Sequence, residues 1–200
     1  MIPARAIRHT LAALILLGLS APFASHVHAQ QPQPPSSDDL FADAAWHLEL
    51  GVHGAIETWN YNNSHENMFA ATVGVSYGLK KNLAIVISAP LYYVEQRGSD
   101  AWLLGATWGV RWRVLTRGRA SIFVEVEVGV SKAETYTPPR GTRFNYLALG
   151  GAGVAVRLVR NTHLLTGFKW VHVSNNGLAG RDRNPDIEAV GPHIAVLTRF

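Results

Sequence analysis

One stretch of the chain sets a histidine and a serine where they could cooperate. His172 and Ser174 stand two residues apart near the end of the run Phe168-Lys-Trp-Val-His-Val-Ser174, which reads as a β-strand. In a strand, residues i and i+2 point to the same face, about 6.6 Å apart along the chain. The imidazole and the hydroxyl can therefore lean together. A serine hydroxyl is a weak nucleophile until a neighbouring base accepts its proton, and a carboxylate beyond the imidazole fixes the tautomer that can do so. A loop rich in Asn, Gly and Pro follows, and Glu188 opens the next strand-like run. If the chain folds back as a hairpin, this acid returns to the histidine. Nucleophile, base and orienting acid together outline acyl-transfer chemistry. A His-x-Ser pair alone is weak evidence, so the weight falls on the strands that carry it.

Those strands are read from alternation. Trp46, Leu48, Leu50 and Val52 share one face, and His47, Glu49, Gly51 and His53 share the other. The same period of two recurs from Phe69, Leu83, Trp102, Ile122 and Phe144, and again over about 162–174 and 187–200. That is a strand period, not a helical one. The predicted fold class is all-β, an eight-stranded antiparallel transmembrane β-barrel of the outer membrane. Its turns support this: Lys80-Lys81-Asn82, Thr116–Arg119 and Val159-Arg160-Asn161 are short. Trp59–Glu66, Tyr136–Thr142 and Asn175–Asp186 are longer, with Gln96–Asp100 a brief exception on the same side. Short periplasmic turns opposite longer outer loops are what such a barrel shows.

Charge and composition narrow the alternatives. Arg111 and Arg113 should meet Glu125 and Glu127 on inward faces, because a narrow lumen needs its charges paired. Trp102, Trp108 and Trp112 on one face suit lipid and its interfaces better than the thin core of a soluble sandwich. The chain ends on Phe200 behind alternating Ile194, Val196 and Thr198, as outer-membrane strands do. Arg5 and Arg8 followed by the apolar run Leu11–Leu19 and Val27-His28-Ala29 read as a signal peptide over 1–29. Residues 30–43 read as a polar leader and 44–200 as the barrel. There are no cysteines, hence no disulfide framework. The pI of 9.6 does not imply nucleic acid, since the basic residues are scattered without an aromatic-laced stripe. His47 and His53 are too far apart for a compact ligand pair and His163 stands apart, so neither a metal nor a cofactor is expected.

Parity sets the side of the chemistry. Lys169 should point into the lumen, which turns Phe168, Trp170, His172 and Ser174 toward lipid, and Glu188 shares that side with Val190, Ile194 and Val196. Three reactive polar groups on a lipid-facing wall make sense at the outer interface, against a lipid substrate. With these residues in view, His172-Val-Ser174-Asn175-x-Gly177, then Asn184-Pro185 and Glu188 before a last strand, resembles the lipid A 3-O-deacylase family of outer-membrane acyloxyacyl hydrolases. Gly141-Thr142-Arg143-Phe144-Asn145 is similar to the same family. The likeness runs loosely from about residue 46 and is specific over 168–188. It departs at Asn176, where the family has a small residue, and in a slightly longer loop before Glu188.

The resemblance implies a barrel that removes the 3-linked acyl chain from lipid A in the outer leaflet. Ser174 would be the nucleophile, His172 the base and Glu188 the orienting acid, with Asp182 and Asp186 as alternative acids. Asn175 and the backbone at Gly177 would bind the oxyanion. Arg181 and Arg183, with Arg140 and Arg143, could grip the phosphates of lipopolysaccharide. The expected partners are that substrate and outer-membrane lipids, and a homodimer is left open. The competing readings are a non-enzymatic structural or adhesive barrel, and a phospholipase or acyltransferase using the same trio.

Overall fold

The alternation closes into a cylinder in the computed structural model, which describes residues 39–59 and 65–200. The eight strands are β1 (Trp46–Glu57), β2 (Asn67–Lys80), β3 (Leu83–Glu95), β4 (Ala101–Arg117), β5 (Ala120–Thr137), β6 (Thr142–Val159), β7 (Thr162–Ser174) and β8 (Ile187–Arg199). Neighbours in sequence pair antiparallel, and β8 closes on β1 with His53 opposite His193 and Leu50 opposite Val196. The expected all-β barrel is thus the architecture observed. The signal-peptide reading and most of the leader lie outside the described residues.

Each strand has one wet-intolerant face outward. Trp108, Val126 and Phe168 are 63, 58 and 64 % exposed, and such residues continue around the whole cylinder. A soluble domain does not carry an apolar belt of that extent, whereas a bilayer covers it. Aromatic side chains collect at two levels. Trp46 packs on Tyr77 near the C-terminal Phe200, and Tyr93 on Trp102 at the opposite rim, where amphipathic rings meet headgroups. Even the 13-residue β7 and β8, at about 3.3 Å per residue and a tilt of about 40°, span roughly 30 Å of hydrocarbon.

The lumen is filled in three layers. At the end that holds the C-terminal Phe200, Leu40 and Phe41 pack with Ala84, Phe123, Leu165 and Leu197. At the outer end Met68, Tyr92, Leu103, Leu147, Val171 and Ile187 form a second apolar plug. Between them lies a layer of charge. Arg111 donates from Nε to Glu125 at 2.8 Å and from Nη2 to Glu49 at 3.0 Å. Lys169 pairs with Glu125 at 2.9 Å and Glu127 at 3.2 Å. The Glu127 carboxylate also accepts from Ser88 and Thr107 at 2.8 and 2.7 Å. Eight strands enclose little more than their own side chains, and these layers leave no wide channel.

Three expectations need correction. Arg113 does not meet the lumen glutamates. It reaches back to Asp39 at 2.6 Å and to Asn82 at 2.9 Å, because two residues beyond Arg111 β4 is already near the short-turn end of the barrel. The polar-leader reading of residues 30–43 does not hold at its end: Leu40, Phe41 and Ala42 are buried, and the Arg113 guanidinium lies over the Phe41 ring, 4.9 Å from its centre. Two apolar side chains inside an otherwise polar segment suffice to draw it into the open mouth of the cylinder. His163 is not isolated either, since it meets His47 edge-on with ring centres 6.2 Å apart.

One close approach shapes the wall beneath the site. Gly153 and Gly167 face each other across β6 and β7. A Cβ on Gly167 would sit 2.2 Å from the Ala152 carbonyl oxygen, and one on Gly153 2.3 Å from that of Thr166. Only glycine permits so close an approach of the two strands.

Candidate active site

The site is built on the last hairpin. Lys169 is drawn inward by Glu125 and Glu127, and Val171 and Val173 are fully buried in the outer plug. Because side chains alternate along a strand, Trp170, His172 and Ser174 must then face outward, as parity predicted. On β8, Glu188 stands directly opposite His172. Thr58, just past the end of β1, donates from both its backbone N and its Oγ1 to the Glu188 carbonyl, at 2.8 and 3.0 Å. The start of β8 is thereby tied to the far wall of the barrel seam.

The side chains form one continuous chain of hydrogen bonds. His172 Nε2 lies 3.0 Å from Ser174 Oγ, and His172 Nδ1 lies 2.8 Å from Glu188 Oε1. An ionised carboxylate can only accept, so Nδ1 carries the proton and Nε2 is left to accept from the serine. Ser174 is 7 % exposed, and the side chains of His172 and Glu188 are 25 and 19 % exposed. The trio is therefore reachable from the outer wall but shielded on its flanks. The carboxylate hydrogen-bonded to His172 Nδ1 is that of Glu188. On the β6 side, Tyr146, Ala148, Gly150 and Ala152 lie opposite Ser174, His172, Trp170 and Phe168. Three of these four β6 residues are small, and the one opposite the serine is Tyr146.

Sequence reasoning gave Trp170 no role, although it shares the face of His172. Its Nε1–H donates to Glu188 Oε2 at 2.5 Å, and its ring stacks on the imidazole with centres 5.9 Å apart and planes 23° apart. The signal was the residue two positions before the histidine on the lipid side.

The loop after the serine is a tight turn. Asn176 and Gly177 both take positive φ, 52° and 76°, and Leu178 N–H donates to the Asn175 carbonyl at 3.1 Å. Asn-Gly is the pair that tolerates two left-handed residues in succession, which accounts for Asn176 at a position where a small residue was expected. The oxyanion expectation is corrected here. The Gly177 N–H is given to Asn175 Oδ1 at 2.9 Å, and Asn175 Nδ2 donates to the Arg183 carbonyl. Asn175 is buried and spans the loop, so Gly177 is not a donor toward substrate. The second hydrogen on Asn175 Nδ2 is what that amide still has to offer.

Arg183 lies over the Tyr136 ring, 5.5 Å from its centre, and its Nη2 reaches the Gly141 carbonyl at 3.5 Å. It braces the last outer loop against the β5–β6 loop. The Arg181 side chain lies outside what the structure describes. Among the described residues one group has metal-ligand spacing, His172, Asp186 and Glu188, with ligand atoms within 4.8 Å of one another. Both Glu188 oxygens already accept, from His172 and from Trp170, so a cation there would have to break the hydrogen-bond chain.

Known proteins speak to the fold. No protein-family model matches the chain, and no curated protein sequence does. Solved structures do match. Neisserial surface protein A superposes with a TM-score of 0.60 at 12 % identity, covering 78 % of this chain and 97 % of that one. The outer membrane protein OprG from Pseudomonas aeruginosa gives 0.50 at 11 % identity, covering 79 % and 97 %. The chain has the eight-stranded barrel fold of these outer-membrane proteins. Identities this low carry the architecture, while the chemistry rests on the site alone.

Proposed function

We propose that the protein is an outer-membrane serine esterase that removes the 3-O-linked acyl chain from lipid A of lipopolysaccharide. The observation that carries the reading is the unbroken run Ser174 Oγ, His172 Nε2, His172 Nδ1, Glu188 Oε1 at 3.0 and 2.8 Å, on the lipid-facing wall at the outer rim. As the Ser174 oxygen attacks the ester carbonyl, its proton passes to His172 Nε2, and Glu188 stabilises the imidazolium that forms. The carbonyl oxygen becomes an oxyanion, for which the remaining Nδ2 hydrogen of Asn175 is the nearest side-chain donor after the serine. Such a donor is worth about 3–4 kcal/mol in comparable sites. The imidazolium then protonates the departing sugar oxygen, and the acyl group stays on Ser174. Water, activated by the same His172, releases the fatty acid and restores the serine.

The substrate class follows from position. The trio lies on the lipid-facing wall, so the ester it would meet there belongs to a membrane lipid. The trio's height at the outer end, near Arg140 and Arg183 in the loops and Arg143 at the start of β6, favours a phosphorylated outer-leaflet lipid. A structural or adhesive barrel has no use for this arrangement, because polar groups on a lipid-facing wall are costly unless they act. The test is the mass spectrum of lipid A from cells with and without the protein. Loss of one 3-linked hydroxyacyl chain, abolished by Ser174→Ala in a barrel that still folds, is the expected result. Unchanged lipid A with phospholipid breakdown would shift the substrate, and no ester cleavage at all would favour the structural barrel.

A further inference from the structure

We infer that Trp170 is a positioning residue of this centre, which orients Glu188 and thereby sets the tautomer of His172; the inference rests on the esterase reading above. A tryptophan at a membrane interface ordinarily turns its N–H toward headgroups. Here the N–H is turned along the wall to Glu188 Oε2, at 2.5 Å. A glutamate carboxylate rotates freely about its last bond, and on a lipid-facing wall water does not hold it. With Trp170 fixing one oxygen, the other is aimed at His172 Nδ1, 2.8 Å away.

The indole is itself held in place. Its ring stacks on His172 at 23° between planes, which limits rotation of the imidazole. Opposite it on β6 is Gly150, where an added Cβ would stand 3.6 Å from Trp170 Cε3. The indole thus stands beside a position of β6 that carries no side chain, stacked on the base and hydrogen-bonded to the acid. Because indole N–H is a donor only, it also demands an acceptor at that end of residue 188. That demand has a consequence which mere packing lacks.

In Glu188→Gln, the amide oxygen must turn to Trp170, leaving the NH2 against His172. Nδ1 becomes the acceptor, the proton moves to Nε2, and the serine loses its base. Removing the indole donor frees the amide to turn its oxygen back to Nδ1–H. The experiment measures fatty-acid release from purified lipid A, and labelling of Ser174 by a fluorophosphonate probe, for wild type, Trp170→Phe, Glu188→Gln and the double variant. Heat-modifiable migration selects folded barrels in each case. We expect Trp170→Phe to lower kcat by about ten- to a hundredfold, the range for losing a hydrogen bond to a charged group, with KM unchanged. In the Glu188→Gln background the same substitution should raise both rates, by about tenfold. If Trp170→Phe lowers activity by the same factor in both backgrounds, or leaves kcat untouched in the wild type, the inference is overturned. If lipid A is not cleaved but Ser174 labels and the reversal of sign persists, the positioning role stands and only the substrate is wrong. No labelling of Ser174 in the wild type would overturn both.

Discussion

Replacing Arg111 by Met tests whether the luminal charge layer holds the wall on which the site is built. The guanidinium is 1 % exposed and sits between Glu49 at 3.0 Å and Glu125 at 2.8 Å. Without it, Glu49 loses the cation beside it and Glu125 must share Lys169 with Glu127. Breaking a buried pair by deleting one partner costs about 3–5 kcal/mol, because a charge is left without compensation. Two carboxylates are affected here, so the upper half of that range is expected, a shift of roughly a thousandfold in the folding equilibrium. Removing Glu49 as well, in Arg111→Met/Glu49→Met, should return most of the loss, since replacing both partners by apolar groups is often neutral. Urea unfolding of the refolded barrel in vesicles, followed by tryptophan fluorescence and by heat-modifiable migration, gives both numbers. A single variant within about 1 kcal/mol of wild type, or a double variant no better than the single, would refute the reasoning. The point bears on function through Lys169. Its pairing with Glu125 and Glu127 draws an odd-numbered residue of β7 inward, and a slip of one residue would carry His172 and Ser174 into the lumen.

Other outcomes follow from the geometry. Asn175→Ala removes the hydrogen bond that spans the last outer loop to Arg183, the local one from Gly177 N–H, and the free Nδ2 hydrogen offered to the oxyanion, so kcat should fall about a hundredfold while the barrel still migrates as folded. Phe41→Ala empties the inner plug beneath Arg113 and should cost about 3 kcal/mol in urea unfolding, with kcat of the folded fraction unchanged. Gly167→Val places a Cβ 2.2 Å from the Ala152 carbonyl oxygen, and should sharply reduce the yield of heat-modifiable barrel, where the outward substitution Thr166→Val should not.

The period of two in the chain was enough to determine the barrel, its filled lumen and the side on which His172, Ser174 and Glu188 lie, because alternation is a local property and charge on one residue fixes the facing of its neighbours. Lys169 alone set the parity of β7. The short turns and long loops likewise told which end the last hairpin faces. Partners across the cylinder were a different matter. Arg113 was assigned to the lumen glutamates from proximity in pattern, yet pairs with Asp39, 74 positions away, since closure and the shift between strands decide the height at which each inward side chain arrives. The bonding of His172 Nδ1 to Glu188, the spending of Gly177 and Asn175 inside their own turn, and the reach of Trp170 to the acid also waited on the folded hairpin. Each depends on which of several nearby groups has the angle and distance to bond, and those are set by how β7 and β8 register against each other, not by the order of residues along either one.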